Sequence, residues 1–170
     1  DSKSLGLYAQ DLVQLAPHWK VLLGLRWDKF SGDYNTPQIG TTAPTHRARS
    51  DSLWSKRFGL LFQPTGDQSY HLSYGTSFNT FGDAYSFDPQ GANTPPEASR
   101  NVELGGSIDW AQGRFTTRFA LFHATKYNER NTDQDSVSPD NYILSGQRHA
   151  AGIDLDFAGR ITPAWELFAS

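Results

Sequence analysis

The chain has no cysteine, which excludes disulfides, thiolate metal sites and thiol nucleophiles. It has no methionine either, even at position 1, and no secretory leader. It stops at Ala169-Ser170 inside a strand-like pattern. The chain therefore reads as an internal fragment of a longer polypeptide. Charge of one sign is also scarce. A formal net charge of -3 over 170 residues is too mild for a nucleic-acid partner or a polybasic membrane contact. Long apolar runs are missing, and none approaches the roughly 20 residues of a membrane-crossing helix. That last absence leaves crossing strands open, because a strand that alternates between lipid and lumen keeps a low mean hydropathy.

Alternation is what the chain has instead. In Trp19-Lys20-Val21-Leu22-Leu23-Gly24-Leu25-Arg26-Trp27 the odd positions are Trp, Val, Leu, Leu and Trp, and the even positions include Lys20, Gly24 and Arg26. Successive strand residues point to opposite faces, so one face is apolar and the other mostly polar. Eight steps at about 3.3 Å give about 26 Å of strand. Tilted by about 40°, this is about 20 Å of height, close to the apolar band of an outer-membrane barrel. Indole settles where hydrocarbon meets headgroups, so Trp19 and Trp27 read as the two girdles of one crossing strand.

The same pattern recurs along the chain. Leu5, Leu7, Ala9, Val13 and Leu15 share a face over 3–15, interrupted by Asp11. Strands are predicted at 19–30, 53–63, 69–79, 100–110, 114–127 and 141–157, with an eighth beginning at Ala164-Trp165. Short turns at Ala16-Pro17-His18, Pro64-Thr65-Gly66-Asp67, Ala111-Gln112-Gly113 and Ala158 to Pro163 alternate with polar stretches at 31–52, 80–99 and 128–140. Short periplasmic turns and longer extracellular loops are the rule in outer-membrane barrels. Trp19, Trp110 and Trp165 sit by short turns, and Trp27 and Trp54 by a long connection. The predicted fold is all-β, an antiparallel up-and-down transmembrane β-barrel. The alternatives are a soluble β-sandwich or lipocalin-like barrel binding a ligand, and a complete eight-stranded barrel acting as an anchor or small enzyme.

No catalytic constellation stands out. His18, His46, His71, His123 and His149 lack metal-ligand spacing, and no nucleophile elbow or phosphate-cradling loop occurs. Asp133, Asp135 and Asp140 lack the glycine turn and bidentate glutamate of a calcium loop. Asp154 and Asp156 read as lumen carboxylates balanced by Arg26, Arg118 or Arg148. The loops carry the candidate binding groups: Tyr34, His46, Arg47 and Arg49, then Phe81, Tyr85 and Phe87, then Arg130. Aromatic rings and guanidinium groups above a barrel mouth suit a flat, anionic ligand. No resident cofactor or metal is expected.

Several strings carry a family resemblance. They are Tyr8-Ala9-Gln10-Asp11 with Gly24-Leu25-Arg26-Trp27-Asp28, Phe58-Gly59-Leu60-Leu61-Phe62-Gln63-Pro64, Pro96-Glu97-Ala98-Ser99 running into Val102-Glu103-Leu104-Gly105, and Gly152-Ile153-Asp154-Leu155-Asp156 with Gly159-Arg160-Ile161-Thr162-Pro163-Ala164-Trp165. In order and spacing they resemble the barrel of TonB-dependent siderophore receptors. The segment Asn128-Glu129-Arg130 through Gly146-Gln147-Arg148 is most similar to the catecholate-type branch. The resemblance implies a barrel of about 22 strands with a plug in its lumen, of which this chain holds about eight consecutive strands and neither plug nor C-terminal strands. It implies a non-enzymatic receptor of the Gram-negative outer membrane that imports a ferric siderophore. The implied partners are that ligand, the TonB complex and the surrounding outer-membrane lipid and lipopolysaccharide. A one-residue bulge is expected to turn Asp11 off the apolar face.

Overall fold

Period-two alternation becomes a single antiparallel sheet. A computed structural model of the chain describes residues 2–38, 40, 43–79, 95–132, 142–144 and 146–170. Strands β1 (Ser2–Ala16), β2 (Trp19–Thr36), β3 (Thr45–Thr65), β4 (Gln68–Asn79), β5 (Glu97–Trp110) and β6 (Phe115–Tyr127) pair in chain order. β7 (Arg130–Thr132) and β8 (Tyr142–Leu144) form a separate two-stranded ribbon, and β9 (Gln147–Thr162) and β10 (Trp165–Ala169) complete the eight-stranded sheet. β1 and β10 occupy opposite edges, so the sheet is open. There is no helix among the described residues.

The ladder sorts the side chains cleanly. Val21 lies opposite Leu60 and Leu23 opposite Phe58, and β4 continues the rows with Leu72 and Tyr74. On the other half, Leu104 lies opposite Leu121, which lies opposite Ile153. These residues share one face. Arg26, Asp28, Arg57, His71, Glu103, Arg118, Arg148, Asp154 and Asp156 fall on the other by the same registers. No second layer covers the apolar face among the described residues. Leu23, Leu104, Ile153 and Leu155 are each at least half exposed there. A soluble sandwich buries such a face against another sheet, and a lipid-facing barrel wall does not.

Aromatic rings mark both ends of the band. Trp19 stacks on Phe62 at 4.3 Å between centroids, and Trp110 on Phe115 at 4.8 Å, both beside short turns. Trp27 and Trp54 are register partners with centroids 6.5 Å apart, at the other end. Two of these indole groups donate hydrogen bonds across the ladder. Trp27 Nε1 donates to Ser52 Oγ at 2.8 Å, and Trp110 Nε1 to Thr117 Oγ1 at 3.2 Å.

Several boundaries differ from the sequence reading. The stretch 31–52 is mostly strand. β2 and β3 stay in register from Ser31↔Ser50 to Thr36↔Thr45 and form a polar hairpin that continues past the girdle. Polar residues on both faces hide this from a hydrophobicity pattern, because the ladder is propagated from its apolar base. β5 begins at Glu97, three residues earlier than expected. The predicted strand 141–157 divides into β8 and β9, and β9 runs on to Thr162, leaving a shorter turn. Asp11 stays on the apolar face, directly opposite Leu23. The expected bulge exists, but it lies between Gln14 and Ala16, beyond Asp11, and does not turn it.

Strand β6 is fitted to its neighbours by aromatic–glycine pairing. Phe119 lies opposite Gly106, Phe115 opposite Gly159 and Phe122 opposite Gly152. Each phenyl ring covers the bare backbone across the ladder, a device known to stabilise strand glycines. A Cβ on Gly106 would meet Phe119 Cζ, Tyr70 Cδ1 and the Ser69 carbonyl oxygen, each at 2.9 Å. Gly106→Val should therefore destabilise the intact barrel by about 1–3 kcal/mol. Gly75→Ala, where an added Cβ meets nothing within 4 Å, should stay within about 0.5 kcal/mol of the parent. Urea midpoints followed by tryptophan fluorescence check the pair, and equal midpoints would refute the packing account.

Candidate functional site

The polar face beyond the Trp27–Trp54 girdle holds the candidate site. The β2–β3 ladder carries its register into the hairpin without a shift. Tyr34 lies opposite Arg47, and Arg49 opposite Gly32, on the face shared with Arg26 and Arg57. Tyr34 is exposed and Arg47 half-buried. Arg47 makes no ion pair within 4 Å among the described residues, so its planar fork of donors remains available.

Arg49 differs from Arg47 although both were expected in the site. Its Nε lies 2.6 Å from Asp51 Oδ2 and its Nη2 3.2 Å from Asp51 Oδ1, and the side chain is buried. A bidentate guanidinium–carboxylate pair is strong and directional, and it uses much of the donor fork locally. The same Arg-x-Asp spacing recurs at Arg26 and Asp28, with both contacts at 2.7 Å. Residues i and i+2 share a strand face, so such pairs were visible in the sequence once strand was assigned.

His46 is not brought together with Arg47 and Arg49. It lies one ladder step away, on the opposite face, with Nε2 3.6 Å from Asp33 Oδ2. Phe81, Tyr85 and Phe87 lie outside the described residues, as do Asp133, Asp135 and Asp140. Arg130 opens β7, opposite Leu144, in the small ribbon rather than in the sheet that carries Arg47.

A second cluster escaped the sequence reading. Lys126 pairs with Glu97 Oε1, and its Nζ lies 3.4 Å from Glu129 Oε1. Arg148 Nε lies 2.9 Å from Glu129 Oε2, and Asn79 Nδ2 donates to Glu97 Oε2 at 3.4 Å. Glu97 and Glu129 are buried. The cluster joins the roots of the connections that leave β4 and β6. Apart from Lys126 and Glu129, three positions apart, its contacts join residues 18 or more positions apart, so no local motif announces the cluster. Arg148 is thereby committed to Glu129 and Arg26 to Asp28. Of the arginines expected to balance Asp154 and Asp156, only Arg118 is adjacent, in register with Asp156 and without a close ion pair. His71 Nε2 sits 2.9 Å from Glu103 Oε1 lower on the same wall. No group of three His, Asp or Glu suited to a metal occurs among the described residues.

This arrangement can bind but holds no assembled nucleophile, base or metal centre among the described residues. An exposed phenol faces a half-buried guanidinium on the registered hairpin above an aromatic girdle, with neighbouring charges largely neutralised in pairs.

The comparisons agree with this architecture. The family model described as "TonB dependent receptor-like, beta-barrel" matches residues 1–170. A Bordetella pertussis protein named "Probable TonB-dependent receptor BfrD" is 29% identical, covering 96% of this chain and 23% of that protein. The "Probable TonB-dependent siderophore receptor PiuA" of Acinetobacter baumannii is 26% identical over 98% of this chain and 23% of its own length. The crystal structure of PiuA superposes with a TM-score of 0.77, covering 97% of this chain and 24% of that one. The closed form of the ferric-catecholate import receptor Fiu of Escherichia coli superposes with a TM-score of 0.71 at 21% identity, covering 97% of this chain and 26% of that one. The chain thus spans about a quarter of the length of the relatives it matches. It belongs to the TonB-dependent receptor-like β-barrel family, whose members are outer-membrane receptors rather than enzymes.

Proposed function

We propose that this chain supplies eight neighbouring strands of an outer-membrane receptor that imports a ferric siderophore. The plug, the remaining strands and the segment that engages the TonB complex belong to other parts of the intact protein. Outer-membrane lipid and lipopolysaccharide surround the apolar face. The family match supports the receptor class, and the siderophore named for PiuA supports the substrate class.

One observation carries the site: the register pair Tyr34–Arg47, on the polar face above the girdle. A catecholate complex of ferric iron is anionic and aromatic. Arg47 offers charge-assisted hydrogen bonds and a planar cation, and Tyr34 offers a ring and a hydroxyl. The siderophore itself saturates the iron, so recognition needs no protein ligand to the metal. Phe81, Tyr85, Phe87 and Arg130 remain further candidates for the same vestibule, and His46 a weaker one because it faces away. Import then requires the TonB-driven movement of the plug, and no bond of the substrate is made or broken by these residues.

Two experiments on the intact receptor test this reading. Arg47→Ala should weaken binding of a ferric catecholate by more than about 1 kcal/mol. Arg49→Ala should act mainly on the hairpin, because it strands the Asp51 carboxylate. Fluorescence titration reads the first effect and urea midpoints the second. An unchanged dissociation constant for Arg47→Ala removes it from the site, and equal affinity for a neutral, non-aromatic ligand removes the catecholate assignment. The lipid-facing assignment is tested with nitroxides in vesicles. A label at Leu104→Cys should be relaxed more by oxygen than by a water-soluble nickel chelate, with the order reversed at Glu103→Cys. The same ranking at both sites would contradict the facing.

A further inference from the structure

The outer end of the apolar face is built in two ways. On β2 and β3 it carries the indole rings of Trp27 and Trp54. On β5, β6 and β9 it carries a cross of polar groups. Thr125 stands at the centre. Arg100 and His149 are its register partners on either side, and His123 and Tyr127 lie two residues before and after it on the same strand and face.

Height along the wall places this cross at the membrane boundary. Arg100 is ten positions along β5 from Trp110, which marks the short-turn girdle. That is about 33 Å of strand and about 25 Å of height at a tilt of about 40°. The residues between them on this face are Val102, Leu104, Gly106 and Ile108. Arg100 therefore emerges where the apolar band ends.

The groups are held in place. The Arg100 guanidinium lies over the Tyr127 ring, 5.4 Å from its centroid. The Thr125 hydroxyl lies 3.2 Å from His149 Nδ1 and is 1% exposed, so the ring orientation is set from beneath. The His123 and His149 rings stand 5.6 Å apart, and both residues are exposed. By register, every carboxylate of β5, β6, β9 and β10 falls on the opposite face, and β4 has none. Among the described residues of these strands the patch is thus positive or neutral, with a fork of donors and two exposed imidazoles.

We propose that Arg100, His123 and His149 bind a phosphate of an outer-leaflet lipopolysaccharide, docking the glycolipid headgroup against the barrel wall. The inference rests on the outer-membrane placement above. Charge complementarity and depth together select the occupant. A guanidinium and imidazole N–H groups suit phosphate oxygens, and this is the level at which headgroup phosphates lie. A metal ion fits less well, because Arg100 brings a fixed positive charge and, among the described residues of the adjoining strands, no carboxylate shares its face to offset it.

The test uses the intact receptor, purified and delipidated in detergent, with lipopolysaccharide and its enzymatically dephosphorylated form as probes. Arg100→Ala combined with His149→Gln should weaken binding of the phosphorylated lipid by about tenfold and leave the dephosphorylated lipid unaffected. Heat-modifiable gel migration equal to the parent shows that the variant is folded, and a variant that fails this is replaced by His123→Gln with His149→Gln. Equal affinity of parent and variant for the phosphorylated lipid overturns the proposal. So does competition by inorganic phosphate at the same concentration as by the lipid, which would assign a free anion. Zinc binding that is lost in His123→Gln, with lipid affinity unchanged, would assign the imidazoles to a metal and also overturn it. A receptor that remains folded and monodisperse without detergent defeats the outer-membrane reading itself. One that requires detergent but ignores the lipid phosphate defeats only the headgroup site.

Discussion

Backbone pairing across neighbouring strands is the constraint from which the other features follow. A strand in hydrocarbon has no water to satisfy its N–H and C=O groups, so each must bond to a neighbour. That demand fixes register, and register fixes which face every side chain takes. The eight-stranded ladder runs from β1 to β10 with shifts only near short turns, at Gln14/Ala16, Phe62/Thr65 and Trp165/Glu166. Everything between them inherits its facing from the apolar rows. The polar hairpin is the clearest case. Nothing in its own composition says which way Tyr34 and Arg47 point, but the Trp27–Trp54 pair below them decides it.

Charge on the polar face is organised at two ranges. Arg26 with Asp28 and Arg49 with Asp51 are forks within one strand. Glu97, Lys126, Glu129 and Arg148 form a network across three elements, with two buried carboxylates. Buried ion pairs contribute little net stability when desolvation is counted, but breaking one is costly. Their effect here is to hold the roots of two long connections in one arrangement. The ion pairs also decide which cations remain for a ligand: Arg49 is buried against Asp51, whereas Arg47 has no ion pair within 4 Å among the described residues.

The apolar face solves its boundary problem differently on its two halves. Indole rings mark the outer edge at β2 and β3, and an arginine–imidazole cross marks it at β5, β6 and β9. Two charged residues are exceptions within the band: Lys56, opposite Leu25 on the face of Trp54 and Phe58, and Asp11. Asp11 sits opposite Leu23, midway between Trp19 and Trp27, with no register shift to move it. The ladder leaves that carboxylate on the apolar face, and we have no physical account of it.

The sequence by itself determined the strand class, the facing of the membrane rows and the girdle positions, because each depends on a period of two within one strand. Val21, Leu23 and Leu25 against Arg26 need no partner to be read. The Arg26–Asp28 fork has the same local spacing, but the sequence reading set Arg26 against Asp154 and Asp156, and only the structure paired it with Asp28. Tertiary structure alone decided what depends on a neighbour. The hairpin at 31–52 is strand because its base is registered, not because its residues alternate in hydropathy. Phe119, Phe122 and Phe115 cover Gly106, Gly152 and Gly159 only because particular strands adjoin. The Glu97 network and the cross around Thr125 join residues tens of positions apart, which share a face by pairing rather than by spacing. A strand's own sequence carries its faces, whereas the identity and register of its neighbours are set by the whole ladder.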